Sequence, residues 1–337
     1  MLEAFYATER GSLEDATING GFDLHPELVW IDLIAPSQEE QQWVIDAYEQ
    51  NLPTLKSLED ISSSARFYRD DDGILHISTY FLTKNKNYQA DNESDEQDHM
   101  LAMVQTVAFI LNKQRLLTLR GEKLVSFRAF RARARRNDYD VDYKDPVWIL
   151  LGLFEAKLDE LADILEDIHK DLEKYSTEVL NNHHREQVLD LDDMVTRLAQ
   201  QEDMLGKAQL CLIDLRRILS FLSRPRALGS HIYDGEIREM SEDVRSLVEH
   251  TAFLFQKVRF LLDTTSGFIN SEQSDTIRRF SILPSLLTAP MLVTSLYGMN
   301  TTVLPFAHGD FSFTAVSIII VASFVIPTAY FRWKKWI

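Results

Sequence analysis

Cysteine is almost absent from the chain, because Cys211 is the single one in 337 residues. A lone cysteine excludes an intrachain disulfide and fits a polar region that lies in the reducing cytoplasm. The first residues, from Met1 to Ala4, contain neither a basic segment nor an apolar run. We therefore expect no cleavable signal peptide.

Positive charge is also scarce, since 35 Lys and Arg stand against 52 Asp and Glu and give a net charge of -17. This balance argues against nucleic acid as the main partner. The basic residues that do cluster are Arg128, Arg131, Arg133, Arg135 and Arg136. We interpret them as a solvated helix face that pairs with acidic residues of the chain, and a nucleic-acid patch is the alternative.

Motifs of catalysis and cofactor binding are missing as well. The sequence contains no HExxH, P-loop, GxGxxG or nucleophile motif. His183 and His184 stand without a cysteine in a polar segment, which is more typical of a surface than of a metal site. We expect neither an enzyme nor a bound cofactor.

Long apolar runs are few, and both lie near the C-terminus. Residues 280–300 and 311–331 contain no charged residue, and each has the ~20 residues that a membrane-spanning helix needs. The polar segment 301–310 joins them. The two runs predict a transmembrane hairpin, and two core helices of a soluble protein are the alternative. The mean hydropathy of -0.18 hides the hairpin because the long polar region dominates the average.

Basic residues flank the hairpin at both outer ends, and the joining segment has none. The flanking cations are Arg278, Arg279, Arg332, Lys334 and Lys335, accompanied by Trp333 and Trp336. The positive-inside rule then places both termini in the cytoplasm and segment 301–310 outside.

The residues before the hairpin divide into two regions by pattern. Residues 1–144 are predicted to form a cytoplasmic α/β domain, with strands at 29–33, 74–82, 104–111 and 115–119, a helix after Ser37 and a polar loop at 85–98. Residues 145–279 are predicted to form a long-helix bundle. Its helices cover 147–180 and 186–222, and a third starts at 232–236 and continues into the first span.

The third helix carries apolar and small residues at alternating steps of three and four. They are Val244, Leu247, Thr251, Leu254, Val258, Leu261, Thr265 and Phe268. Such a heptad seam packs either on the two preceding helices or on copies of itself.

A single hairpin cannot enclose a path for ions, so a channel requires several copies around an axis. At helical spacing, Pro284, Thr288, Met291 and Ser295 share one face of the first span, and Asn300 lies at its outer end. This face predicts a pore lining. The alternative is that the hydroxyls only pack helices or bond to the backbone.

The segment Tyr297-Gly298-Met299-Asn300, at the outer end of the first of two C-terminal spans, resembles the signature of the CorA family of magnesium channels. The resemblance extends over the chain. Similar segments are 29–33, 58–61, 64–67, 153–157, 254–258 and 267–270, and the tail 333–337 resembles the basic, Trp-containing tail of the family.

The resemblance implies a funnel-shaped homopentamer in the bacterial inner membrane, with domains at 1–144, 145–279, 280–300, 301–310, 311–331 and 332–337. Tyr297, Gly298, Met299 and Asn300 would form a filter that holds hydrated Mg²⁺ through its waters, because this ion dehydrates reluctantly. Gly298 would let the backbone turn, and Met291 would form an apolar constriction.

The resemblance also implies that intracellular Mg²⁺, bound between cytoplasmic domains, closes the pore. Candidate ligands are Glu239, Glu242 and Asp243, met by an acid of a neighbouring α/β domain, and a solvated acidic face is the alternative. Co²⁺ and Ni²⁺ are possible further ions.

The chain departs from the family in the outer loop. Phe306 stands where the family has Glu after Pro305, so only His308 and Asp310 could supply charge at the outer mouth. Two alternatives to the magnesium channel follow. The first is a zinc transporter of the related ZntB branch, because His308 beside the mouth would suit zinc. That branch usually alters the Met of the signature, however, and this chain keeps Met299. A membrane-tethered scaffold would leave the polar face of the first span unexplained.

Overall fold

The structure is a computed structural model, which divides into two compact units, Met1–Leu261 and Leu262–Ile337. It describes residues 1–16, 28–48, 52–54, 66–84, 102–136, 141–182, 191–224, 227–299 and 312–334. The predicted loop at 85–98 lies outside these residues, and so do His183 and His184.

The first unit is built around a seven-stranded sheet with the order β2-β1-β3-β7-β6-β5-β4. The strands are β1 Leu2–Ala7, β2 Leu13–Asp15, β3 Leu28–Ile34, β4 Phe67–Arg69, β5 Leu75–Lys84, β6 Ala102–Leu111 and β7 Leu116–Arg120. Neighbouring strands are antiparallel except β3 and β7, which pair in parallel. Both members of this parallel pair are buried along their whole length.

The four predicted strands are confirmed as β3, β5, β6 and β7, each within two residues of its expected bounds. The sequence analysis missed β1, β2 and β4. Two of these have three residues each, which is too short to show a period of two, and β2 and β4 are the outer strands of the sheet.

The helices are α1 Gln38–Tyr48, α2 Val125–Arg136, α3 Pro146–Asn182, α4 Leu191–Leu222, α5 Asp234–Tyr297 and α6 Ser312–Trp333, with a 3-10 turn at His231–Tyr233. The start of α1 is a capping box, because Glu40 N donates to Ser37 Oγ and Ser37 N donates to Glu40 Oε2. The start of α3 has Pro146 in its first position, and the Asp145 carboxylate accepts from Val147 N.

Helices cover both faces of the sheet. On one face α1 contributes Val44 to a cluster with Ile31, Leu33 and Leu117. On the other face α2 and α3 meet the strands through tilted and edge-to-face aromatic rings, which include Trp30, Phe81, Phe109, Phe127 and Phe154. At the crossing of α2 and α3, a Cβ on Gly152 would overlap the Phe130 ring, so glycine permits the close approach of the two helices.

The basic helix α2 pairs with acidic residues of the same unit. Arg131 pairs with Glu3, Arg135 pairs with Asp15, and the Arg133 guanidinium lies 3.1 Å from the Glu155 carboxylate. For Arg131, Arg133 and Arg135, these ion pairs confirm the interpretation of the arginine cluster as a face that pairs with the acidic remainder of the chain.

A bundle follows the sheet, in which α3 packs on α4 and on the first-unit part of α5. Gln201 of α4 donates to Asp171 of α3 at 3.2 Å, and Lys257 of α5 lies 3.9 Å from Glu173 of α3. The seam residues Val244, Thr251, Leu254, Val258 and Leu261 are buried. Of the two alternatives for this seam, packing within the chain is therefore correct for these five residues.

A buried polar network joins the bundle to the sheet. Lys157 of α3 donates from Nζ to Thr79 Oγ1 at 2.9 Å, and the Thr79 hydroxyl donates to Asp214 Oδ2 of α4 at 2.6 Å. Burial lowers the pKa of the Lys157 ammonium. The nearby Cys211 thiol is inert for the same reason, because burial raises its pKa to about 11.

The second unit contains the end of α5 and the whole of α6. Both helices are long and apolar enough to cross a membrane. The prediction that the third long helix continues into the first span is confirmed, because α5 runs from Asp234 to Tyr297 through Gly267, Pro284 and Pro290.

The parallel strand pair is joined by an ion pair with no solvent exposure. Arg120 Nη2 of β7 lies 2.6 Å from Asp32 Oδ2 of β3, and both side chains are 0% exposed. The Thr118 hydroxyl donates to Asp32 Oδ1 at 2.7 Å, and Arg120 Nη1 donates to the Glu122 carbonyl at 2.7 Å. Both charges are thus paired and hydrogen-bonded, as burial requires.

We predict that Arg120→Met destabilises the first unit by about 3–5 kcal/mol, because it leaves the Asp32 carboxylate buried without its partner. Thermal unfolding of the full-length protein in detergent, followed by tryptophan fluorescence, measures the effect. Arg128→Met is the matched control, since Arg128 is exposed on α2. Equal unfolding midpoints for the two variants would contradict the prediction.

Candidate ion pathway

The end of α5 has one covered face. Ile282 and Leu286 are 7% and 8% exposed. Ala289, Pro290, Val293 and Tyr297 continue this face at steps of three and four, and they are partly covered. We call these six residues the covered face.

The four predicted pore residues lie on the opposite face. Pro284, Thr288, Met291 and Ser295 are all exposed. At roughly 100° per residue, the centre of this set is about half a turn away from the centre of the covered face. We call it the open face. The structure thus brings the four residues together on a surface that no other described part of the chain covers.

The hydroxyl of Thr288 is bonded within its own helix. Thr288 Oγ1 donates to the Pro284 carbonyl at 2.7 Å, and Thr294 Oγ1 similarly donates to the Pro290 carbonyl at 3.1 Å. The alternative interpretation, in which the hydroxyls of this face bond to the backbone, is therefore correct for the Thr288 hydroxyl. Its oxygen keeps lone pairs that can accept from water.

The helix ends at the predicted filter. Gly298 N donates to the Thr294 carbonyl at 2.9 Å, and Met299 N donates to the Leu296 carbonyl at 3.4 Å. The backbone turns at Gly298, directly after the helix ends at Tyr297, and it does so without the positive φ that occurs at Gly11, Gly73 and Gly229. Its contribution is space, since a Cβ there would lie 3.3 Å from the Thr294 oxygen. Met299 is exposed.

Three predicted site residues lie outside the described residues. They are Asn300 of the signature and the two outer-mouth candidates, His308 and Asp310.

The predicted regulatory acids lie in the first unit, on the exposed side of α5. Glu239 and Asp243 face acids of α3 that the sequence analysis did not single out, Glu155 and Asp159. Burial raises the pKa of the Glu155 carboxyl, Arg133 opposes this rise, and Glu239 adds to it. Burial likewise raises the pKa of the Asp159 carboxyl, with Arg133 opposing and Asp243 contributing.

This group is an acidic cluster rather than a finished metal site. Within the described ranges, no set of three or more His, Cys, Asp or Glu side chains is arranged to hold a metal ion. Glu242 is exposed and is not among the main causes of the raised pKa values of Glu155 and Asp159. The spacing Glu155, Asp159, Asp163, one acid per helical turn, is the signal that could have identified the α3 acids from the sequence.

Comparison with known proteins identifies the family. The sequence model of the CorA-like Mg2+ transporter protein family matches residues 26–335. The chain is 38% identical to the magnesium transport protein CorA of Pectobacterium atrosepticum, over 92% of both chains. It is also 38% identical to the magnesium transport protein CorA of Escherichia coli K12, again over 92% of both.

The fold has solved counterparts. The complete structure of the CorA magnesium transporter from Methanocaldococcus jannaschii aligns with a TM-score of 0.74 at 17% identity, covering 100% of this chain and 99% of that one. The cytoplasmic domain of ZntB from Vibrio parahaemolyticus aligns less well, with a TM-score of 0.51 at 13% identity over 80% of this chain and 98% of that one.

These matches confirm the predicted architecture of an α/β domain, long helices and two apolar C-terminal helices. The family is one of transporters, which bears out the prediction that the chain is not an enzyme. The chain belongs to the CorA family of Mg²⁺ transporter proteins.

Proposed function

We propose that the protein is a channel that admits Mg²⁺ through a bilayer, with the open face of α5 lining the path. The observation that carries the proposal is the division of α5 into two opposite faces. The covered face is apolar and partly buried, whereas the open face combines Thr288 and Ser295 with Met291 and leads to the signature. Relatives at 38% identity are named magnesium transport proteins.

The chemistry of Mg²⁺ explains why such a face suits it. The ion holds its waters tightly and prefers oxygen ligands. Amide oxygens of Asn300 and the carbonyl oxygens of Gly298 accept hydrogen bonds from those waters without replacing them. Met291 narrows the path with an apolar side chain. Co²⁺ and Ni²⁺ carry the same charge and also retain water, so we extend the proposal to them.

The path requires several copies of the chain, and we propose a homopentameric funnel. Phe253 and Phe260, one heptad apart on the first-unit part of α5, are 52% and 57% exposed. Exposed aromatic residues at this spacing favour association with further copies. We place the hairpin in the inner membrane with both termini in the cytoplasm, because the cations Arg278, Arg332 and Lys334 flank its outer ends.

Closure by intracellular Mg²⁺ is the regulatory part of the proposal. Glu239 and Asp243 of α5 and Glu155 and Asp159 of α3 crowd negative charge around one cation, Arg133. A divalent ion would relieve this repulsion. We keep Glu242 as a candidate for contact with a neighbouring copy, because its side chain is exposed.

The first experiment measures ion entry into proteoliposomes that contain a magnesium-sensitive dye. We expect the wild type to give a signal that increases under inward-negative potential. Asn300→Ala should abolish most of it, because the filter loses its amide oxygens. Gln38→Ala is the control, since it removes an exposed amide from α1 in the first unit.

The other functions give different results in the same assay. Zinc entry that responds to a proton gradient, without a magnesium signal, would assign the protein to the ZntB branch. Well-folded oligomers that conduct neither ion would indicate a scaffold. A wild-type signal that Asn300→Ala leaves unchanged would remove Asn300 from the filter.

The acidic cluster predicts a coupling between pH and Mg²⁺. The raised pKa values of Glu155 and Asp159 mean that their contribution to stability is present below their ordinary pKa and is lost as pH rises through the raised values. As the pH rises above the ordinary carboxyl range, the thermal midpoint should therefore lose this contribution. Mg²⁺ should restore stability at a pH where both groups are ionised.

Glu155→Gln combined with Asp159→Asn should reduce both the pH dependence and the stabilisation by Mg²⁺. Glu166→Gln combined with Asp167→Asn is the matched control, because these two acids of α3 pair with Lys170 and not with Arg133. Thermal unfolding of the full-length protein, with and without Mg²⁺, measures both effects. An unchanged Mg²⁺ effect in the first double variant would exclude the cluster as a regulatory site.

A further inference from the structure

Two histidines from different helices of the first unit lie side by side. The ring centroids of His169 on α3 and His250 on α5 are 5.7 Å apart, with 50° between the ring planes. The Phe253 ring lies next to both imidazoles, with centroid distances of 6.2 Å and 6.4 Å. Both histidines are half-buried. The two imidazoles thus meet where α3 packs on α5, partly screened from solvent.

The two ring nitrogens of His169 have different surroundings. Its Nε2 lies 3.3 Å from Oε1 of Glu173, one turn further along α3. Its Nδ1 is buried and has no hydrogen-bond partner in the part of the chain that the structure describes. A neutral imidazole has one N–H and one lone pair, and the nearby carboxylate favours the N–H at Nε2. The lone pair then belongs to Nδ1, a buried acceptor without a donor, which is unfavourable.

A metal ion bound to both rings would satisfy this arrangement. A metal-bound histidine commonly directs its other N–H to a carboxylate, and Glu173 has that position relative to Nε2 of His169. With metal–nitrogen bonds of about 2.1 Å, two imidazoles on one tetrahedral ion have ring centroids about 5 Å apart. The observed separation of 5.7 Å is close to this value, so small side-chain rotations bring one nitrogen of each ring to a shared ion.

The charges around the histidine pair disfavour Mg²⁺ as the ligand. Lys257 of α5 lies 3.9 Å from the same Glu173 oxygen, so an ammonium already balances the carboxylate. The remaining donors are imidazole nitrogens, whereas Mg²⁺ prefers oxygen. Zn²⁺ and Ni²⁺ bind imidazole well. The pair therefore differs in chemistry from the acidic cluster around Arg133, which offers carboxylate oxygens.

We propose that His169 and His250 form a binding site for a divalent transition-metal ion, which joins α3 to α5 within one chain. The protein supplies two nitrogen ligands and water completes the shell. Two protein ligands are consistent with the absence, among the described residues, of a set of three or more metal-binding side chains. Glu173 is a positioning residue. The inference goes beyond the proposed function, because the site requires neither conduction nor a second copy.

Zinc binding to the full-length protein in detergent tests the proposal. A zinc-sensitive dye competes for the ion while excess Mg²⁺ fills oxygen-rich sites, and we expect a single Zn²⁺ per chain to remain bound. His169→Gln and His250→Gln should each weaken this binding at least about a hundredfold, and Glu173→Gln should weaken it about tenfold, as for an outer partner of a metal ligand. His231→Gln is the matched control, because it removes an exposed imidazole that pairs with Asp234.

Zinc X-ray absorption of the loaded wild type separates ligation from packing. We expect the scattering of two imidazoles, with nitrogen at about 2.0–2.1 Å, and oxygen from water in the remaining positions. Glu173→Gln should keep both imidazoles while its affinity falls. A spectrum with oxygen neighbours alone would overturn the site. If a glutamine variant of either histidine does not fold, these two spectra decide.

The binding assay gives three further results that would contradict the proposal. They are unchanged zinc affinity in a folded His169→Gln or His250→Gln variant, an equal loss of affinity in His231→Gln, and complete displacement of Zn²⁺ by Mg²⁺. The last would assign the ion to carboxylates. All of these measurements are made without conduction, so the site can fail while the channel stands, and the channel can fail while the site stands.

Discussion

The hydrocarbon core of a membrane offers no partner to backbone polar groups, and this constraint governs the most informative part of the chain. An uninterrupted helix satisfies it, and α5 continues without a break from Asp234 to Tyr297. Against that background, two prolines in the predicted span are costly unless the freed carbonyls meet water or protein. Pro290 lies on the covered face of α5 and Pro284 on the open face.

In the first unit, the important constraint is whether each poorly solvated charge has a partner. Asp32 and Arg120 are fully buried, but each has several hydrogen bonds, so this pair is a fixed element of the sheet. Glu155 and Asp159 are in a different situation, because burial and neighbouring acids raise their pKa values and Arg133 compensates only in part. A satisfied pair gains nothing from an added cation, whereas an under-compensated cluster does. The regulatory proposal therefore rests on the second group.

The sequence was sufficient to predict features that repeat over many residues. The long helices α3 and α5 and the open face of Pro284, Thr288, Met291 and Ser295 follow from a period of 3.6 sustained over several turns. Strands β2 and β4 have three residues each and show no period. The acids Glu155 and Asp159 were missed because their importance depends on the register between α3 and α5, which neither helix encodes alone.

The distribution of polar groups along α5 bears on which ion the path suits. Acceptor oxygens are proposed at the outer end of the span, at Gly298 and Asn300, while Met291 nearer the middle presents an apolar thioether. An ion that crossed this middle section without its waters would have few replacements, so the path favours an ion that keeps its shell. Mg²⁺ does so, whereas Zn²⁺ readily takes nitrogen and sulfur ligands. The described open face offers hydroxyls and a single thioether and no imidazole or thiolate. Its chemistry therefore favours the magnesium channel over zinc transport.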